Sequence, residues 1–300
     1  MLPFKLLYHP GFVVDLGPHV FPAQKYRLVR ERLLRDGVAE AADFVEPAAA
    51  SDADMERVHE REYLARLKHG RLSAVEQRRL ELPWSPQLVE GAWLASGAGI
   101  AAGRLARRVG CACVVGGGFH HAFADHGEGF CAVNDVAVAI GALRAAGEVA
   151  RVAVVDLDVH QGNGTAAILA PDPLAFTVSL HQEDNYPLDK PASDIDVGLP
   201  DATGDADYLA ALERPLQAAL AFRPDVLFYL AGADPYEHDL LGGLGVTIDG
   251  LAERDRRVLA AARAAGVPAV VALAGGYAEN SDDTVTIHVN TVRTAQAVFT

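Results

Sequence analysis

The chain has 300 residues, half of them hydrophobic and 22% charged, which suits a globular protein with a sizeable buried core. Its formal net charge of −14 argues against nucleic-acid binding, because phosphate recognition needs a concentrated basic surface. Cys111, Cys113 and Cys131 are too few and too close for a disulfide framework, so they read as buried thiols in a reducing compartment. The opening MLPFKLLYHPGF does not suit a signal peptide, and no uncharged apolar segment is long enough to cross a bilayer. A cytoplasmic protein is expected.

FKLLYH reads as a first strand and ADMERVHEREYLARLKHG as one amphipathic helix. From Cys111 onward, near-continuous apolar runs alternate with helical stretches. The runs are CACVVGG, RVAVVDLD, LAFTVSL, DVLFYLAGAD and PAVVALAGGY. The helical stretches are VNDVAVAIGALRAAG, ADYLAALERPLQAAL and DGLAERDRRVLAAARAAG. This order predicts an α/β fold with an open, mostly parallel sheet sandwiched by helices. Neither a linker nor a repeat interrupts residues 1–300, so one domain is expected.

Polar residues fall where these strands end: Gly116–His121, Asp156–His160, Ser179–His181, Gly232–Asp234 and Gly275–Tyr277. Ligand sites of open α/β sheets form at the carboxyl ends of the strands, so five such clusters imply one crevice. In VVDLDVHQGNG, Asp158 and His160 stand two apart and can project to the same side. With Asp234 they supply three protein ligands and leave a position open, as in a catalytic zinc site. The oxygen-rich set also suits Fe(II), Co(II) or Mn(II). Helix capping could account for either aspartate alone, but not for His160 and the neighbouring clusters.

His120 and His121 follow a Gly-rich strand end and are candidates for proton transfer. If Asp156 bonds His120, its charge favours the imidazolium. If neutral Asn163 orients His121, that ring can remain a base. Tyr277, after the Gly275-Gly276 turn, can donate a hydrogen bond to a carbonyl oxygen as it becomes an oxyanion.

With these residues assembled, the chain resembles the histone deacetylase family, within the larger arginase–deacetylase fold. LLYHPGF, VHEREYL, GGGFHHAFADHGEGFCAVND, DLDVHQGNG, SLH, GADPYEHDLLGG and LAGGY carry the resemblance over almost the whole chain. Gln161 and Asn163 in DLDVHQGNG, with the PHVFPAQKY region, look most like the class IV deacetylases. The resemblance implies zinc on Asp158, His160 and Asp234, and His121 as general base and acid. It implies His120 as electrostatic partner and Tyr277 polarising the acyl carbonyl. It further implies a potassium ion near Asp156 and Ser179, with backbone oxygens of Asp158, His160 and Leu180. An acyl-lysine tunnel would be lined by Gly129, Phe130 and Leu241, with Tyr186 at its rim. The two-manganese relatives, arginase among them, carry further carboxylates where this chain has Gly162 and Gly232. Neither glycine can ligate through a side chain, so a second metal lacks its ligands.

The expected activity is zinc-dependent hydrolysis of an acylated lysine, in a peptide or protein. The rivals are an acetylpolyamine or other small acylated amine as substrate, a non-catalytic acyl-lysine binding module, and a ureohydrolase-type reaction.

Overall fold

The apolar runs form strands that are buried on both faces, and the computed structural model describes residues 1–300 throughout. The strands are β1 (Lys5–Leu7), β2 (Phe44–Val45), β3 (Cys111–Val114), β4 (Val152–Asp156), β5 (Ala175–Gln182), β6 (Ile195–Leu199), β7 (Val226–Leu230) and β8 (Ala269–Ala272). They make one eight-stranded sheet in the order β2-β1-β3-β8-β7-β4-β5-β6, parallel at every pairing. Every residue of β3, β4, β7 and β8 is buried, which is why those runs lack alternation. Only the edge strand β6 alternates, with one face exposed.

The helices are α1 (Lys25–Arg35), α2 (Asp52–Met55), α3 (Arg61–Lys68), α4 (Ala74–Leu80), α5 (Pro86–Val109), α6 (Asp135–Ala145), α7 (Asn163–Leu169), α8 (Asp205–Ala221), α9 (Ile248–Ala264) and α10 (Ser281–Phe299). Helix α5 packs on β3, β8 and β1, with α6 and then α7 beside it; α8, α9, α10 and α1 pack against one another in a second layer. The expected helix over ADMERVHEREYLARLKHG divides into α2 and α3. His59 lies in the break because its ring is drawn inward: Nδ1 donates to the Phe123 carbonyl at 2.9 Å and Nε2 accepts from Asn134 N at 2.9 Å. Helix α8 continues through Pro215, as the helical stretch ADYLAALERPLQAAL implied. No helix is long and apolar enough to cross a membrane.

The strand order explains how distant motifs meet. Five clusters belong to β3, β8, β7, β4 and β5, which are consecutive neighbours in the sheet. Parallel pairing puts their carboxyl ends along one edge. The Ser179–His181 cluster differs slightly from expectation, since it lies within β5, which runs on to Gln182 by pairing with β6.

Candidate active site

The edge of the sheet opens into a cavity of about 210 Å³, walled by His120, His121, Asp158, His160, Tyr277 and the expected tunnel residues Gly129, Phe130, Tyr186 and Leu241. The turn that carries the two histidines is built by Asp135 at the start of α6. Its carboxylate accepts from Gly118 N at 3.0 Å and from Phe119 N at 2.8 Å. The His120 carbonyl then accepts from Thr165 N of α7 at 3.0 Å, so two helix starts fix the pair. The opposite wall hangs on the end of α4, where the Arg79 and Leu80 carbonyls accept from Gly129 N and Phe130 N at 3.2 and 3.0 Å. Phe130 is held there at φ +66°, a left-handed conformation that a Phe rarely adopts.

Asp158, His160 and Asp234 are buried, and their candidate ligand atoms lie within 4.8 Å of one another. His160 Nδ1 stands 3.1 Å from Asp158 Oδ1 and 3.7 Å from Asp234 Oδ2. Neither aspartate caps a helix: the N-cap of α7 is Gly162 and that of α9 is Thr247. Instead each holds backbone of the site, Asp234 Oδ1 accepting from Val159 N at 2.9 Å and Asp158 Oδ2 from Gly275 N at 2.9 Å. Asp234 Oδ2 is buried with no hydrogen-bond partner. Burial, with the Asp158 charge added to it, pushes the Asp234 carboxyl well above the usual carboxylate range. Burial acts on Asp158 in the same direction, but His120 and His160 outweigh it and hold that carboxyl low. An orphaned carboxylate oxygen facing a second buried carboxylate is costly unless a cation sits between them. The donor set therefore fits one divalent metal ion.

It leaves no room for the ligands of a second. A side chain at Gly162 would collide with Asp156 Oδ2, and a Cβ at Gly232 would come within 2.7 Å of Asp158 Cα. Gly275 is equally constrained, because a Cβ there would strike Asp234 Oδ2.

The tandem histidines face different partners, as the sequence led one to expect. His120 Nδ1 donates to Asp156 Oδ2 at 2.7 Å. Burial pulls its pKa down, but the charges of Asp156 and Asp158 more than compensate and raise it to about 9. His121 Nδ1 donates to Asn163 Oδ1 at 2.7 Å. Burial, together with the neighbouring His120 and His160, holds this ring well below the usual histidine value, so it stays neutral. Asp156 is the direct partner of Ser179 in the β4–β5 register, and Leu180 follows it on β5, so three of the five expected potassium ligands are adjacent. Tyr186 packs edge-on to His121 with ring centroids 5.0 Å apart.

Tyr277 is buried, and burial raises its phenol well above the usual value, so it keeps its proton. Its ring meets Phe21 edge-on and Phe130 at a tilt, both at 6.2 Å between centroids. Its backbone N donates to Asp239 Oδ2 at 2.6 Å.

Three residues beside the site escaped sequence reasoning. Lys25 of α1 is buried, donates to the Ala274 carbonyl at 2.9 Å, and lies 5.3 Å from the Tyr277 ring centroid. Burial lowers its pKa to about 8, with Asp234, Asp158 and Asp239 opposing. Nothing in PHVFPAQKY marks that lysine as buried; it lies 249 residues from the carbonyl it clamps. Asp239 sits inside GADPYEHDLLGG without a recognisable spacing. Glu128 accepts from Asn163 Nδ2 at 2.7 Å, and only its place in HGEGF beside the tunnel residues hinted at it.

Fold and site together define an α/β protein of the arginase–deacetylase fold with the donor set for a single metal. Comparison with known proteins specifies it further. Residues 19–292 match the histone deacetylase domain. The chain is 42% identical over 99% of its length to an uncharacterised protein of Picosynechococcus sp., which it spans to 99%. It is 33% identical to histone deacetylase 2 of Arabidopsis thaliana, covering 88% of this chain and 70% of the relative. A histone deacetylase-like amidohydrolase of Pseudomonas aeruginosa is 34% identical over 77% of this chain and 65% of its own. The crystal structure of the HDA15 HD domain superimposes with a TM-score of 0.80 at 24% identity, over 98% of this chain and 88% of that one. The chain belongs to the histone deacetylase family.

Proposed function

We propose that this protein hydrolyses the amide of an acylated lysine. The observation that carries the reading is the convergence, in one cavity, of a neutral His121, a charged His120 and a protonated Tyr277 beside an orphaned carboxylate site. Asp158, His160 and Asp234 would hold the metal, zinc in our reading with Fe2+ or Co2+ also suited, and when bound it would polarise the acyl carbonyl and acidify water. His121 takes a proton from the attacking water through its free ring nitrogen and returns it to the departing amine. His120, kept cationic by Asp156, supplies standing positive charge to the developing oxyanion. Tyr277 donates its phenolic hydrogen to the same oxygen. The products are a free amine and a carboxylate.

We assign the chain to class IV on Gln161 and Asn163, and propose a potassium ion between the β4 and β5 ends, on Asp156 and Ser179 with backbone oxygens of Asp158, His160 and Leu180. Gly129, Phe130 and Leu241 would guide the lysine stem, with Tyr186 at the entrance. The three free, buried cysteines suit a reducing, cytoplasmic setting.

An apolar cavity of about 40 Å³ adjoins the first and shares Phe21, Tyr26, Gly117, Phe119 and Phe130 with it. The likeness to class IV deacetylases is why long acyl chains belong among the substrates tested. The test is a panel of acetyl-peptide, long-chain acyl-peptide and acetylpolyamine, with products identified by mass spectrometry. Peptide turnover supports the reading. Turnover of the polyamine alone replaces the substrate with a small acylated amine. Tight binding of acyl-peptide without turnover would mean a recognition module.

A further inference from the structure

The base proposed above does not meet a carboxylate directly. His121 Nδ1 pairs with the side-chain amide of Asn163, and an amide can present either its oxygen or its nitrogen to a ring. The two orientations have opposite consequences. With Oδ1 facing it, Nδ1 carries the hydrogen, and the other ring nitrogen keeps a lone pair to accept a proton. With Nδ2 facing it, Nδ1 must be the acceptor, and the hydrogen moves to the atom that has to act as the base.

Two neighbours decide between these states. Gly164 N donates to Asn163 Oδ1 at 3.0 Å, which favours the productive orientation with one neutral hydrogen bond. On the other side, Asn163 Nδ2 donates to Glu128 Oε1 at 2.7 Å. An ionised carboxylate only accepts, so it selects the amide nitrogen, and a charge-assisted bond is the stronger of the two. Glu128 is itself fixed. Its second oxygen lies 3.5 Å from His126 Nε2 and 3.8 Å from Arg79 Nε. Its backbone exchanges hydrogen bonds of 3.0 and 2.8 Å with Cys131, closing the tight turn that carries Gly129 and Phe130. Burial pushes the carboxyl upward, but hydrogen bonds from His126, Asn163 and Tyr186 prevail and keep it below the usual glutamate value, hence ionised.

We propose that Glu128 is a positioning residue that fixes the Asn163 amide, and through it the tautomer of His121, so that the ring nitrogen remote from Asn163 is the basic one. Glu128 thereby stands two hydrogen bonds from the base, with the amide between them as a neutral relay. The proposal rests on the assignment of His121 as the base, and the test keeps the two separable.

The tautomer of His121 is read from its imidazole nitrogen shifts in 15N-labelled protein, without reference to turnover. Wild type should show Nδ1 protonated, whereas Glu128→Ala should show a mixture. Glu128→Gln keeps the side-chain volume but can accept or donate, so it should give an intermediate mixture in a protein that folds as before. In turnover, Glu128→Ala should lower kcat about tenfold, the scale of one hydrogen bond, with KM little changed. The Asn163→Asp background offers an oxygen at both ends and places two carboxylates side by side, so Glu128→Ala there should leave kcat unchanged or raise it. An equal fall in both backgrounds means that Glu128 only supports the loop, and overturns the proposal. A pure Nδ1-protonated signal in Glu128→Ala overturns it as well. If wild type hydrolyses no acyl substrate, the proposed function fails, and the nitrogen shifts alone decide this inference.

Discussion

Replacing Tyr277 by Phe removes one hydroxyl and leaves the rest of the local structure its partners. The ring keeps its edge contact with Phe21, its contact with Phe130 and the Lys25 ammonium 5.3 Å from its centroid. The backbone N keeps Asp239 Oδ2. What is lost is a hydrogen-bond donor that burial keeps protonated far above neutral pH. A preorganised oxyanion donor acts on charge that exists only in the transition state, so its loss should appear in kcat and not in KM. The expected cost is roughly 10²–10³ in turnover, or about 2.7–4 kcal/mol. The assay is steady-state hydrolysis of an acyl-lysine peptide, with the folded state checked by thermal unfolding. A variant that folds as wild type and turns over within about threefold of it would remove Tyr277 from the chemistry.

The buried Asp158–Asp234 pair should make the metal-free protein the less stable form. Zinc should raise the melting temperature progressively, with about 2.7 kcal/mol gained at a hundredfold excess over Kd, and Asp234→Asn should blunt the response. A zinc-independent melting curve would contradict the donor set. His120 is raised to about 9 from an ordinary 6.5, so in metal-free protein its contribution to stability is complete below pH 6.5 and is lost as pH rises through 9. Chemical denaturation should show wild type losing its advantage over His120→Asn across that window, by on the order of 3 kcal/mol; a constant gap would refute the assignment. Lys25→Met strips the Ala274 carbonyl of its buried donor, which should cost about 1–3 kcal/mol of unfolding free energy and loosen Tyr277. Unchanged stability with unchanged kcat would show that the clamp is dispensable.

How much of this was legible in the sequence follows from which forces act locally. The doubly buried strands announce themselves as apolar runs, and their polar ends mark the site because parallel pairing leaves those ends on one edge. Asp158, His160 and the tandem histidines stand in short motifs, so spacing alone brings them together. Helix α5 was hidden because its sequence, GAWLASGAGIAAG, has poor helix propensity; a Cβ at Gly97 would strike the Ala48 carbonyl, so packing overrides propensity there. The break at His59 was hidden because its cause lies in the carbonyl of Phe123, 64 residues away. Lys25, Asp239 and Glu128 were missed for the same reason: each acts on backbone or an amide supplied by a different element. The difference between His120 and His121 was readable in principle from Asp156 and Asn163, but the carboxylate behind Asn163 was not.

The most direct test of the account is a zinc titration of chelator-stripped protein, with hydrolysis of an acyl-lysine peptide as the readout. One metal site should give activity that rises linearly to a single equivalent and then levels off, while Asp234→Asn stays flat. Full turnover in the stripped protein, or a break at two equivalents, would contradict a one-metal hydrolase built on Asp158, His160 and Asp234.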